Sequence, residues 1–189
     1  MKKYKLLNEI AEQGGIVIFG GSEDLNIPLC ELKQAFALKE NYYNRSVENI
    51  SILKAADFYE SYVAELHPET VLLHMGDTDI EMFSKSPNEF ADNYRKLILQ
   101  IRKENKKCRI AIVSLKNYDG NTNITELNKH LKYIADSEKC EFFDISEKKV
   151  WNPKQTKDVV SFVYDIGFLH PLKNKRPIYD LVKMLFCFY

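Results

Sequence analysis

Short β-rich runs that alternate with stretches of helical periodicity constrain this chain more than any other feature. The runs are GIVIF (15–19), the weaker NYYN (41–44), TVLLHM (70–75), RIAIVSL (109–115) and CEFFDI (140–145). They are apolar without strict alternation, the pattern of strands covered on both faces. Between them apolar residues recur at helical spacing: Ile52, Ala55, Ala56, Tyr59, Val63 and Leu66, then Phe90, Tyr94, Leu97, Ile98 and Ile101, then Ile124, Leu127, Leu131 and Ile134. A last stretch carries Ile178, Leu181, Val182, Leu185 and Phe186, with Pro177 ahead of them. The second stretch opens on SPNE, where Ser86, Pro87 and Glu89 predict a capping box with proline in the first turn. Strand followed by helix, repeated, requires crossover connections and hence a parallel sheet. The predicted fold is an α/β three-layer sandwich of about five parallel strands. A length of 189 residues suits one domain spanning 1–189.

Composition removes several classes of function. Lys plus Arg number 27, as do Asp plus Glu, so no net field attracts nucleic acid or anionic lipid. No apolar run reaches the length of a membrane span. Asn8, Glu9 and Glu12 interrupt the residues after Lys2 and Lys3, so the start does not read as a signal peptide, and a cytoplasmic protein is the expectation. Cys30, Cys108, Cys140 and Cys187 are far apart, form no CxxC pair and read as reduced, mostly buried thiols.

Ligands of such sheets bind beyond the carboxyl ends of the strands. There the sequence carries GGSED (20–24), NRSVEN (44–49), HMGDTD (74–79) and SLKNYDGN (114–121). In the first, two glycines let the backbone turn sharply and leave room above Ser22. Ser22 is either a nucleophile at the mouth of the sheet or a helix cap, since Ser, Glu and Asp all suit a helix start. The stretch is not a G-x-S-x-G elbow, because position 24 is Asp. It also lacks the GK[ST] ending of a phosphate loop, which argues against a nucleotide-binding domain. Four histidines are available. His67, before Pro68 at a helix end, reads as surface. His74 reads as a strand residue of the core or a support to the site, and His130 as solvated on a helix. His170, in a loop beside Pro171 and ahead of the last helix, is placed like an active-site base.

Taken in order, these pieces resemble the SGNH hydrolases, the GDSL-type lipases and esterases, along nearly the whole chain. FGGS ends the first strand with Ser22 at the nucleophile position and Gly21 where that family has Asp. NRSVENIS (44–51) keeps the Asn of the second block as Asn44 and has Asn49 at its oxyanion glycine. GDTD (76–79) keeps Gly76 and Asp79, with Thr78 at the oxyanion Asn. His170 and Pro171 match the last block, but Gly167 stands where its Asp is expected, and Asp165 is the nearest acid. The resemblance implies a flavodoxin-like fold with strand order 2-1-3-4-5. It implies a serine esterase or acylhydrolase that cleaves a small-molecule carboxylic ester through an acyl-serine, with no metal or organic cofactor. The implied roles are Ser22 as nucleophile, His170 as base and Asp165 as orienting acid if DIGFLH bulges. The implied oxyanion hole is built from the amides of Ser22 and Asn49 and the hydroxyl of Thr78. Asn49 need offer only its N–H, and asparagine tolerates the left-handed backbone better than most residues. Thr78 replaces an amide donor by a shorter hydroxyl, at a position where losing a donor costs roughly 10²–10³ in rate. The altered positions also suit a catalytically weak or inactive relative that binds a ligand or a protein partner. Retention of both Ser22 and His170 favours chemistry.

Overall fold

The computed structural model describes residues 2–35, 39–117 and 119–146. The last helical stretch of the sequence (178–186) lies outside the described residues, as do Asp165, Gly167 and His170. Five strands, β1 (Ile16–Gly20), β2 (Tyr42–Asn44), β3 (Thr70–His74), β4 (Arg109–Val113) and β5 (Glu141–Phe143), form one parallel sheet. Its order is β2-β1-β3-β4-β5, as expected, and every β-rich run of the sequence supplies one strand. Successive side chains point to opposite faces. Val17, Phe19, Val71, Leu73, Ile110 and Ile112 enter one apolar layer, while Ile16, Ile18, Leu72, Ala111, Val113 and Phe143 enter the other. Both sets are buried, which is why polar residues do not alternate along these runs.

The first layer is closed by α3 (Ile52–Tyr62), α5 (Pro87–Glu104) and α6 (Thr122–Ser137), which bury Ala55 and Tyr59, Tyr94 and Leu97, and Leu127 and Leu131 respectively. The opposite face receives Leu32 of α2 (Leu29–Ala35), with Ile27 just ahead of it. Truncating a wholly buried leucine such as Leu72 to alanine would cost about 2–5 kcal/mol. No helix among the described residues is long and apolar enough to cross a membrane.

Four local features depart from the sequence reading. Ser86 makes no side-chain cap on α5. Helix α4 (Ile80–Lys85) runs straight into α5, and the Ser86 N–H donates to the Met82 carbonyl at 2.8 Å. One residue therefore closes one helix as it opens the next, and only Pro87 keeps its expected place. His130 is half-buried rather than solvated, its ring 5.3 Å from that of Phe83 and 6.4 Å from that of Phe90. Cys30 is exposed, whereas Cys108 is buried and Cys140 half-buried, all as free thiols. Helix α1 (Lys2–Glu9), which no apolar stripe announces, is held by polar contacts around the one ring, Tyr4, that it packs on the core. Asn8 Oδ1 accepts from the buried Arg45 guanidinium at 2.7 and 3.1 Å, and the Tyr4 hydroxyl donates to the Ser46 carbonyl.

Candidate active site

Strands β1 and β3 are neighbours in register, Gly20 beside His74. Each leaves the sheet through a glycine and one turn of 3₁₀ helix, Ser22–Asp24 after Gly21 and Asp77–Asp79 after Gly76. Both turns hold the same segment, Asn49–Ile52, which leads from β2 into α3.

The Ser22 hydroxyl oxygen accepts the Asn49 N–H at 3.0 Å. It lies 3.5 Å from Asn49 Oδ1, too far for a full-strength O–H···O bond, so its own hydrogen is loosely held. The turn opens on Gly21 without a side-chain cap, so the Ser22 hydroxyl is engaged with Asn49 rather than with a helix start. Asn49 has φ +51°, the left-handed conformation expected of a residue standing at a glycine position.

Thr78 lies in the neighbouring turn, but its hydroxyl donates to the Ile50 carbonyl at 2.7 Å. A hydroxyl has one hydrogen, and here it is committed to the backbone. Thr78 thus bears on the site through the segment it pins, not as a donor of its own. The buried Asp79 accepts from the Ser51 hydroxyl at 2.6 Å and from the Ile52 N–H at 2.9 Å. It places a negative charge at the start of α3, where the helix dipole favours one. Asn44 bridges from β2: its Nδ2 donates to the Asp24 carbonyl at 2.6 Å, and its Oδ1 accepts the Ser46 N–H at 2.9 Å. Ser46 Oγ in turn accepts the Gly20 N–H at 3.2 Å. The structure therefore brings Ser22, Asn44, Asn49, Thr78 and Asp79 together. Asp165 and His170 lie outside the described residues.

Sequence reasoning missed a charged cluster beneath Ser22. Asp24 and His74 are 1% and 4% exposed, and His74 Nδ1 lies 2.9 and 3.0 Å from the two Asp24 carboxylate oxygens. Burial and Lys116 oppose a charge on the imidazole, but the Asp24 carboxylate, its hydrogen bond and Glu23 outweigh them, so the His74 pKa is raised. Burial also raises the Asp77 pKa, with help from Glu23, against the Thr78 N–H and His74, which lower it. The two glycines make room for this cluster. A Cβ on Gly20 would overlap the Asp24 carboxylate, and one on Gly21 would come within 2.9 Å of Asp77 Oδ1. Asp77 of the neighbouring turn thus sets its carboxylate against position 21, where the family resemblance would place an aspartate. The available signal was the repeated spacing of a glycine three residues before an aspartate after two adjacent strands.

A cleft of about 60 Å³ opens beside the two turns, lined by Gly21, Glu23, His74, Asp77, Ile80 and Lys116 among others. Lys116 Nζ lies 3.3 Å from Glu23 Oε2 across its edge. No group of three or more His, Cys, Asp or Glu side chains among the described residues is placed to hold a metal ion.

No protein-family model matches the sequence, and no match to it was found among curated proteins. Solved structures are similar. A candidate acylhydrolase from Bacteroides fragilis aligns with a TM-score of 0.61 at 19% identity, over 87% of this chain and 90% of the other. A GDSL-like lipase from Bacteroides thetaiotaomicron aligns with a TM-score of 0.60 at 18% identity, over 83% and 86%. An esterase of the SGNH-hydrolase family aligns with a TM-score of 0.52 at 13% identity, over 82% and 94%. The chain shares its fold with these hydrolases and esterases.

Proposed function

We propose that the protein is a serine esterase or acylhydrolase acting on a small-molecule carboxylic ester. One observation carries this reading: beyond the carboxyl end of β1, the Ser22 Oγ meets the N–H of a left-handed Asn49 while its own hydrogen stays loosely bound. As Oγ attacks the ester carbonyl, its proton passes to His170 and a C–O bond forms. The resulting oxyanion sits on the carbon bonded to Oγ, in front of the donor that already faces Oγ. The Asn49 and Ser22 amides then stabilise charge that develops only in the transition state. Thr78 and Asp79 keep the Asn49–Ile52 segment in place for this. Collapse expels the alcohol, which takes its proton from the His170 imidazolium. Water, deprotonated by His170, then cleaves the acyl-serine and frees the acid. Asp165 orients His170 if DIGFLH bulges, and a backbone carbonyl does so otherwise.

The test is hydrolysis of p-nitrophenyl acetate by the full chain. Slow turnover is expected, lost in Ser22→Ala and in His170→Ala and kept in His67→Gln, a change at an exposed helix end. Equal rates for the wild type and Ser22→Ala would overturn the reading. A second reading, a ligand-binding relative with weak or no turnover, draws support from the committed Thr78 hydroxyl, and such equal rates would establish it.

A further inference from the structure

We propose that Asp24 and His74 are positioning residues, a buried pair that braces the Gly20–Asp24 turn from both ends and ties the placement of Ser22 to the protonation of His74. The role assigned to Ser22 rests on the esterase reading above; the brace itself does not. His74 closes β3 beside Gly20, and its carbonyl accepts the Gly21 N–H at 3.3 Å. The same residue's imidazole holds the Asp24 carboxylate at the far end of the turn. Ser22 lies between these two anchors, two residues from Asp24. A displacement of Asp24 would also pull on Asn44, which donates to its carbonyl.

The cost of this arrangement argues that it is more than packing. A buried ionisable pair is seldom better for stability than apolar residues of the same volume. Here it also requires glycine at position 20, where any side chain would overlap the Asp24 carboxylate. What the pair supplies is a defined placement of the turn.

Among the described residues, the charged groups facing His74 include Asp24 and Glu23 on the turn, Asp77 on the neighbouring turn and Lys116 beyond β4. Burial and Lys116 work against the imidazolium, and Asp24 and Glu23 together outweigh them. For a group whose folded pKa is raised, the stabilisation is complete below the unfolded value, about 6.5, and is lost as pH rises through the folded value. The brace is therefore firmest in mild acid and slackens in alkali.

The experiment is an NMR titration of the full-length ¹⁵N-labelled protein from about pH 5.5 to about pH 9.5. It follows the His74 ring nitrogens and the Ser22 and Asn49 amides. The two amides are expected to titrate with the His74 midpoint. In Asp24→Asn that midpoint falls and the amides follow it. In His74→Asn, whose side-chain amide can stand in for the Nδ1 donor but does not titrate, the transition disappears while the fold is kept. Amides that stay flat through the His74 titration, or a transition that persists in His74→Asn, would overturn the brace. These readouts need no turnover. On p-nitrophenyl acetate, Asp24→Asn is expected to lose about tenfold or more in kcat at nearly unchanged KM, since a misplacement near 1 Å can cost 10²-fold. The alkaline limb of its pH profile should shift down with the His74 midpoint. Coupled amides in a protein with no turnover would uphold the brace and reject the esterase reading. Normal turnover with uncoupled amides would do the reverse.

Discussion

The turns after β1 and β3 share their first and last residues, Gly-Ser-Glu-Asp at 21–24 and Gly-Asp-Thr-Asp at 76–79. Each makes one 3₁₀ turn and buries its last aspartate, Asp24 at 1% and Asp79 at 2% exposure. Their chemistry nevertheless differs. Asp79 meets two neutral donors, the Ser51 hydroxyl and the Ile52 N–H, while Asp24 meets a histidine. The hydroxyls differ as well. Ser22 stands first in its turn, faces an N–H and keeps its hydrogen. Thr78 stands second, faces a carbonyl and spends its hydrogen there. One local geometry thus yields a candidate reagent at one strand end and scaffold at the other. What decides between them is the backbone group that each hydroxyl meets.

Removing the aspartates should break this comparison most forcefully. Asp24→Ala strips a buried partner from His74 and is expected to cost about 3–5 kcal/mol. Asp79→Ala orphans two donors, at roughly 1.5–3 kcal/mol each for bonds to a charged acceptor. Urea unfolding at two pH values separates the two turns. Because the His74 pKa is raised, the Asp24→Ala penalty should be larger near pH 6 than near pH 9. The donors on Asp79 do not titrate in that window, so its penalty should hold constant. A pH-independent Asp24 penalty would mean that the two turns are held alike.

A smaller contrast is expected between the glycines. Gly20→Ala forces a methyl into the Asp24 carboxylate and should destabilise by about 1–3 kcal/mol, the usual range for overpacking. Gly21→Ala presses on Asp77 at 2.9 Å, a side chain that can swing aside, and should cost less. Thermal unfolding of the two variants gives the order, and the reverse order would contradict the placement of the two carboxylates. The smallest stability effects should come from the hydroxyls. Thr78→Val loses one hydrogen bond, about 1 kcal/mol, and Ser22→Ala at its partly open site changes stability by roughly 0.5 kcal/mol or less. On p-nitrophenyl acetate the order should invert, with Ser22→Ala losing turnover and Thr78→Val keeping part of it.

How much of this could be read from the sequence depended on how far apart the causes lie. The five strands follow from runs such as IVIF and TVLL, where local pattern and burial coincide, while their order was legible only through the family resemblance. Asn49 was singled out only by the resemblance, and what residue type added, its tolerance of the left-handed backbone, agrees with its φ of +51°. The Asp24–His74 pair was not legible. Its members are far apart in sequence, and although His74 could be read as a support to the site, nothing local tied it to Asp24, whose place at a helix start was explanation enough. Nor does residue type say which way the Thr78 hydroxyl turns, since that depends on where the Ile50 carbonyl lies. Ser86 misled because two helices meet at it, and α1 was silent because polar contacts with Arg45 and Ser46 hold it in place of an apolar stripe.

Ser22 as nucleophile is tested most directly by treating the full chain with a fluorophosphonate and mapping the adduct by mass spectrometry. Attack by Oγ forms a P–O bond and expels fluoride, so it reports the nucleophile without requiring knowledge of the natural ester. The expected result is a single adduct on the peptide carrying Ser22, absent in Ser22→Ala, strongly slowed in His170→Ala and retained in Thr78→Val. An unlabelled Ser22 in the folded protein, or labelling at an unchanged rate in His170→Ala, would contradict it.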